Sequence, residues 1–362
     1  MAPNLKTVEA AGIQGITRKN LPYEMVIDDF FDPVDRVKKS FANIIKAPDH
    51  QRIAIIPSVS YGIASVVRNI KPKPYGNIVV AAEQFPSNYY AWKRYADTYD
   101  VQIRTVGPTD ANHKGASWNQ AILDNIDKGT AVVAIGNVHW ADGTLFHLEA
   151  IKAACQENDA YLILDGTQSV GAFPFDVEKI QPDALICAGY KWLFGPYAMG
   201  LAYYGPKFDN GIPIEENWIN RKGSENFQAL VNYEEHYHPL ARKYNVGESS
   251  NFILIPMMEA ALAQINEWGP ENIQTYTKNL VAPFLDPLSD LGCVIEDDDY
   301  RCGHLFGLRL PKTYNLDKVK QHFKEQNIFV SFRGNAVRVS THLYNRPEDL
   351  EKLLDGLRSL QA

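Results

Sequence analysis

YLILDGTQSVGAFPFDVEKIQPDALICAGYKWLFGP, residues 161–196, holds two apolar runs, YLILD (161–165) and ALICAG (184–189), each ending abruptly in polar chemistry. Short apolar runs bounded by turn-forming residues read as strands of a buried sheet. After the first come Asp165-Gly166-Thr167-Gln168; after the second come Tyr190, Lys191 and Trp192, ahead of Gly195-Pro196. A lysine between aromatic rings at a strand end has two readings. Desolvated, it loses its proton easily and becomes an amine nucleophile able to form an imine. In a surface turn, its stem covers the rings and its ammonium stays in water. Asp165 also reads two ways, as a functional carboxylate or as the cap of a turn that Asp-Gly-Thr favours.

The rhythm around this stretch decides the class. Further strands are expected at RIAII (52–56), NIVVAA (77–82), VQIRTV (101–106), AVVAIG (131–136) and GLAYYG (200–205). Amphipathic segments at 58–69, 86–98, 117–126 and 147–159 lie between most of them. Strands alternating with helices argue for an α/β fold with a mainly parallel sheet covered on both faces. SSNFILIPMMEAALAQINEWG (249–269) reads as one long helix bridging two domains. Beyond it HLFGLRL (304–310), IFVSF (328–332) and AVRVS (336–340), set among helices at 316–326 and 347–360, read as a smaller α+β domain. The expected division is an N-terminal segment, 1–22, packing with the small domain, a large domain over 23–248, and the connecting helix with the small C-terminal domain over 249–362.

Bulk properties narrow the partners. A chain of 362 residues is long enough for two domains. A net charge of −7 gives no basic footprint, which argues against nucleic acid and anionic membranes. No apolar run is long enough to span a bilayer, and MAPNLKTVEAAGIQG lacks the layout of a signal peptide. Cys155, Cys187, Cys293 and Cys302 are scattered, without metal-binding spacing, and read as reduced thiols of a cytoplasmic protein. His236 and His238 could share one strand face, but two ligands do not make a metal site.

Ligands of open parallel sheets bind beyond the carboxyl ends of the strands. There the sequence places Asp165 to Gln168, Tyr190 with Lys191, Pro57-Ser58-Val59-Ser60 opening a helix, and Glu83-Gln84-Phe85-Pro86-Ser87-Asn88. A carboxylate, a lysine, a hydroxyl-rich helix start and an aromatic plate suit pyridoxal 5'-phosphate (PLP). A helix N-terminus favours the phosphate. A carboxylate keeps the pyridine nitrogen protonated, a lysine holds the aldehyde, and a ring stacks on the cofactor.

The block 161–196, with Asp-x-x-Gln at one strand end and a lysine, an aromatic and Gly-Pro about 25 residues later, resembles the class V aminotransferases among fold-type I PLP enzymes. That group includes kynureninases, cysteine desulfurases and isopenicillin N epimerase-like proteins. The resemblance extends over almost all of the chain, to AVRVSTHLYNRPEDLEKLL (336–354). It implies that Lys191 forms the Schiff base, that Asp165 pairs with the pyridine nitrogen, and that Gln168 bonds the ring hydroxyl. Ser60 and the N–H of Val59 match the phosphate turn, with Tyr190 beside it. Phe85, in EQFPSNYY, matches the stacking plate, and Arg338 matches the receiver of the substrate carboxylate. Read singly, Ser60 is also an ordinary N-cap, Phe85 a core residue, and Arg338 the partner of a nearby acid. The resemblance further implies a homodimer, with aromatic-rich 206–248 suited to its interface.

Two departures stand out. IFVSFRGNAVRVS (328–340) has no cysteine, where a desulfurase needs a nucleophilic one, so persulfide-forming chemistry is not expected. Met1 stands almost directly before the helix KTVEAAGIQGI, where the family has a strand and a loop, so either the start is truncated or that loop is missing. The expected activity is an aminotransferase-like reaction on a small amino acid, the alternatives being a side-chain-cleaving lyase or hydrolase, kynureninase-like or of C–S lyase type, or an epimerase. Arg221, Arg242 and Lys243, in 216–227 and 241–252, are candidates at the entrance for a second acidic group of the substrate.

Overall fold

The protein is described by a computed structural model covering every residue except Asn335 and Ala362. Its large sheet has seven strands: β1 (Ile53–Ile56), β2 (Asn77–Ala81), β3 (Gln102–Val106), β4 (Thr130–Gly136), β5 (Tyr161–Asp165), β6 (Ala184–Ala188) and β7 (Gly200–Tyr204), in the order β1-β7-β6-β5-β4-β2-β3. β7 is antiparallel to both β6 and β1, and all other pairs are parallel. Only β7 is therefore reversed. The carboxyl ends of β1, β2, β4, β5 and β6 share one rim, which is what lets residues from four separate turns meet.

The inner strands are buried on both faces, so they read as continuous apolar runs instead of alternating ones. Successive residues of β4 point to opposite faces. Val133 and Ile135 join one core, with α2 (Asp32–Ile44), α5 (Lys114–Asp124) and α6 (Leu148–Glu157), whereas Val132 and Ala134 join the other. That second core is closed by Ile63 and Val66 of α3 (Val59–Arg68) and by Trp92 and Tyr95 of α4 (Tyr90–Tyr99). A short helix, α7 (Val177–Ile180), precedes β6, and α1 (Lys6–Arg18) lies across α8 (Leu254–Trp268). The approach of α1 is close: a Cβ on Gly15 would stand 2.5 Å from the carbonyl oxygen of Phe252.

The segment expected as one helix over 249–269 begins only at Leu254. It ends at Gly269, whose φ of 76° lies in the left-handed region open to glycine. Its buried face, Ile255, Met258, Leu262 and Ile265, belongs to the core of the large sheet. The chain continues as α9 (Pro270–Asp290), a helix that goes unread in the sequence because Pro283 and Pro287 sit inside it, where proline normally ends helices.

The small domain packs α9, α10 (Leu316–Glu325) and α11 (Pro347–Arg358) on a three-stranded antiparallel sheet. Its strands are β8 (Leu305–Arg309), β9 (Ser331–Arg333) and β10 (Ala336–Ser340), in the order β8-β10-β9. The strand expected over 328–332 is thus shifted and shortened, and Phe329 is 88% exposed. No helix among the described residues is long and apolar enough to cross a membrane.

Candidate active site

Beyond the carboxyl rim of the large sheet lies a cavity of about 310 Å³. Val59, Ser60, Phe85, Asp165, Gln168, Tyr190 and Lys191 all line it. Seven sequence candidates, spread over more than 130 residues of chain, therefore meet in one place.

Helix α3 points its start at this cavity. Ser58, not Ser60, is the N-cap: its hydroxyl accepts from Tyr61 N at 3.2 Å. Ser60 sits one residue inside the helix, its hydroxyl 3.0 Å from that of Ser58. The first N–H groups of a helix have no partner within it. Val59 and Ser60 thus bring unpaired donors and a hydroxyl to the positive end of a dipole, which suits a phosphate.

Asp165 ends β5 buried between strands. One carboxylate oxygen accepts from Thr167 N at 3.0 Å, so the turn-cap reading is also fulfilled, by half of the carboxylate. Burial pushes its pKa up, opposed by the Thr167 hydrogen bonds and by the positive charge of Lys191. A cation placed against its other oxygen would hold it ionised, as a protonated pyridine nitrogen does. Thr167, which the sequence reading passed over, locks the turn by accepting from Ala188 N at 3.0 Å.

Gln168 is oriented by its neighbours. Its side-chain oxygen accepts from the indole N–H of Trp192 at 3.2 Å, and an indole can only donate. That fixes which end of the amide faces Trp192 and leaves the NH2 as the donor available to a ring hydroxyl. Its backbone carbonyl accepts from His304 at 2.7 Å, and His304 is held in turn by Gln274 of α9 at 2.7 Å. Burial drives the His304 pKa down to about 4, so the ring is neutral.

Lys191 follows β6 in a loop closed by Gly189 N to Met199 O at 2.8 Å and by Gly195 N to Gly189 O at 2.9 Å. Gly189 leaves no room for a side chain, since a Cβ would stand 2.6 Å from Met199 O. Among the described residues the Lys191 ammonium has no hydrogen-bond or ion-pair partner; it lies 5.5 Å from the Phe85 ring centroid and 6.0 Å from that of Tyr190. Burial lowers its pKa, Asp165 raises it, and Arg338 and Arg333 lower it again. Lys191 is thus half-buried, with its ammonium partly desolvated beside the rings. A lower pKa enlarges the neutral, nucleophilic fraction.

Tyr190 packs against Tyr197, with ring centroids 4.7 Å apart. Phe85 meets Trp140 edge to face at 5.4 Å, which sets it as one wall of the cavity. Trp140 lines the cavity too and went unnoticed in GNVHWADG, a stretch without periodicity. Arg338, on β10, reaches across from the small domain and donates to the Trp140 carbonyl. Its other terminal nitrogen is 3.4 Å from Ser331 Oγ, and its buried Nε has no partner. Burial, aided by Arg333, lowers the Arg338 pKa to about 10.

The entrance candidates lie elsewhere within the chain. Arg221 pairs with Glu216, Arg242 with Glu225 at 2.7 Å, and the Lys243 ammonium donates to Asp209 O. None of the three lines the Lys191 cavity. The four cysteines are free and buried. Burial raises all their pKa values, to about 12 for Cys155 and Cys302, which leaves no thiolate at neutral pH. Among the described residues no cluster of histidine, cysteine and carboxylates suits a metal ion.

Comparison with known proteins identifies the fold and the family. The uncharacterized aminotransferase YcbU of Bacillus subtilis is 23% identical over 352 residues, spanning 93% of this chain and 90% of that protein. A cysteine desulfurase of Shigella sonnei is 22% identical, spanning 91% of this chain and 82% of its own. Among solved structures, the cystine C–S lyase C-DES in complex with cysteine persulfide superposes with a TM-score of 0.84 at 16% identity, over 99% of this chain and 95% of that one. A cysteine desulfurase from Thermococcus onnurineus superposes with a TM-score of 0.80 at 19% identity, over 99% and 92%. The family model described as Aminotransferase class-V matches residues 26–353, and the chain is a member of that family of PLP-dependent enzymes.

Proposed function

We propose that this enzyme transfers the amino group of a small α-amino acid, with Lys191 as both the cofactor-bearing and the proton-moving residue. The observation that carries the reading is an unpartnered, desolvated lysine facing a buried carboxylate in one cavity. Bound there, PLP supplies an electron sink for negative charge left at the substrate Cα. Asp165 holds the proton on the pyridine nitrogen that this sink requires, and the Gln168 NH2 orients the ring hydroxyl. Val59 and Ser60 fix the phosphate at the start of α3, Tyr190 flanks it, and Phe85 bounds the ring face. Arg338 takes the α-carboxylate, for which its planar fork and unpaired Nε are suited. The Lys191 amine, once free, takes the Cα proton and returns it elsewhere.

Side-chain cleavage is the second reading, favoured by relatives named cysteine desulfurase. Within it, the lack of a cysteine over 328–340 and the four buried thiols point to release of the side chain without a persulfide on the enzyme. A panel of amino acids with mass spectrometry of the products separates the two. Transamination yields a 2-oxo acid and the cofactor recovered as its amine. Cleavage yields a released side chain with the cofactor unchanged, and that outcome would replace the first reading.

A homodimer in the cytoplasm completes the proposal. Trp218, Val231 and Tyr233 leave apolar surface exposed in 206–248, at 40%, 80% and 97%, and four free thiols suit a reducing compartment. Sedimentation at micromolar concentration reads the assembly, and a fully active monomer would remove that part.

A further inference from the structure

Arginines in this acidic chain mostly hold carboxylates. Arg52 meets Asp209 at 2.7 Å, Arg104 meets Asp127 at 2.6 Å, and Arg242 meets Glu225 at 2.7 Å. On the β9–β10 hairpin, beside Trp140 of the cavity wall, the pattern breaks. Among the described residues neither Arg338 nor Arg333 has a carboxylate partner. Arg338 bonds only the Trp140 carbonyl and Ser331, and the Arg333 side chain bonds only the carbonyl of its neighbour Phe332, at 2.8 Å.

Strand register puts the two on one surface. Across the β9–β10 pair Arg338 stands opposite Ser331, and Ala336 opposite Arg333. Side chains alternate between faces along a strand, so Arg338, Ser331 and Arg333 share the face turned to Trp140. The Arg333 guanidinium lies 5.3 Å from the Trp140 ring centroid, while Arg338 holds the carbonyl of that same residue. Two guanidiniums thus flank one cavity-lining tryptophan. Arg338, half-buried, carries an electrostatic cost with no anion present, to which the nearby Arg333 charge adds. The lowered pKa of Lys191, to which both arginines contribute, agrees with their closeness to the reacting amine.

We infer that the substrate is an acidic amino acid, with its α-carboxylate on Arg338 and a second anionic group, at the end of a short side chain, on Arg333. The inference rests on the amino-acid reading above and narrows it. A dianion neutralises both guanidiniums at once, and its amino group is then left toward Lys191. A neutral side chain leaves Arg333 without a partner. Arg333, exposed at the hairpin end, thereby discriminates between substrates without taking part in cofactor binding.

The test is titration of the PLP-loaded enzyme with L-aspartate, L-glutamate, L-asparagine and L-glutamine, following the cofactor's absorption. Wild type is expected to bind the acids about tenfold or more tightly than the matching amides. Loss of a charge-assisted hydrogen bond in Arg333→Gln should weaken the acids by roughly tenfold to a hundredfold and move the amides by less than about threefold. Arg333→Lys, which keeps the charge but not the fork, should fall between. Equal affinities for acid and amide in wild type, or an Arg333→Gln variant that weakens both alike, overturns the inference and leaves the amino-acid reading standing. Absorption that no α-amino acid perturbs ends the amino-acid reading, and this inference with it.

Discussion

The rim of the large sheet lines the Lys191 cavity, the β9–β10 hairpin sets two arginines against Trp140 of its wall, and the two regions are built in opposite ways. On the rim, Asp165, Gln168 and Lys191 sit within a few residues of strand ends that are buried on both faces and tied by backbone hydrogen bonds. The hairpin offers Arg338 and Arg333 from a separate core, and Arg338 meets the large domain through a bond that spans 198 residues of sequence. The rim is suited to a group that stays, the hairpin to one that comes and goes. A cofactor site gains from rigidity that holds each donor in place. A substrate site assembled where two domains meet can be changed on one side without disturbing the other.

The same contrast sets what was legible in the sequence. Seven residues proposed to hold the cofactor could be read as converging because each follows a strand signal, and a sheet with one reversed strand sends those ends to a common rim, where they line one cavity. Thr167 and Trp192 belong to the same block, yet their roles are hydrogen bonds that no periodicity announces. On the hairpin side, Arg338 was offered only through resemblance, and Arg333 was not singled out. Arg221, Arg242 and Lys243 were offered as substrate cations, but each has an oxygen partner near it in the chain or across a loop. Whether an arginine is free or paired is a property of the packed structure, and a sequence does not display it.

The largest effect expected from breaking this division of labour is at Lys191. Lys191→Ala should abolish turnover by at least about three orders of magnitude, as removal of a nucleophile does. The phosphate and ring contacts remain, so some PLP should still bind without a covalent link. After borohydride reduction, the wild-type adduct should map to the peptide carrying Lys191 and be absent from the variant. An adduct on another lysine would move the site away from β6 altogether.

A smaller and more selective loss is expected on the hairpin. Arg338→Lys replaces a planar fork by a point charge and gives up one of two parallel hydrogen bonds. That costs about 1–3 kcal/mol, or roughly tenfold to a hundredfold in apparent amino-acid affinity. Cofactor absorption should not change, and an amine lacking a carboxylate should respond as in wild type. If the variant loses cofactor as well, the two regions are not separable, and the hairpin helps to build the cofactor site.

The smallest effect lies where the rim touches the small domain beside β8. Trp192 donates to Gln168 on the cofactor side and packs edge to face on His304 of the small domain, with ring centroids 4.7 Å apart. Trp192→Phe keeps most of the ring and removes the N–H. The side-chain oxygen of Gln168 then lacks its donor in a buried place, and the amide loses the contact that fixed which end faces the cavity. A lost neutral hydrogen bond is worth about 1 kcal/mol, so PLP affinity should fall by about fivefold in titrations of the cofactor-free protein. Because His304 is anchored separately, to the Gln168 carbonyl and to Gln274, the small domain should keep its place. Apparent amino-acid affinity in the reloaded enzyme should therefore stay within about twofold of wild type. A matching loss on the substrate side would mean that Trp192 transmits strain from rim to hairpin, and that the fixed site and the adaptable one move together.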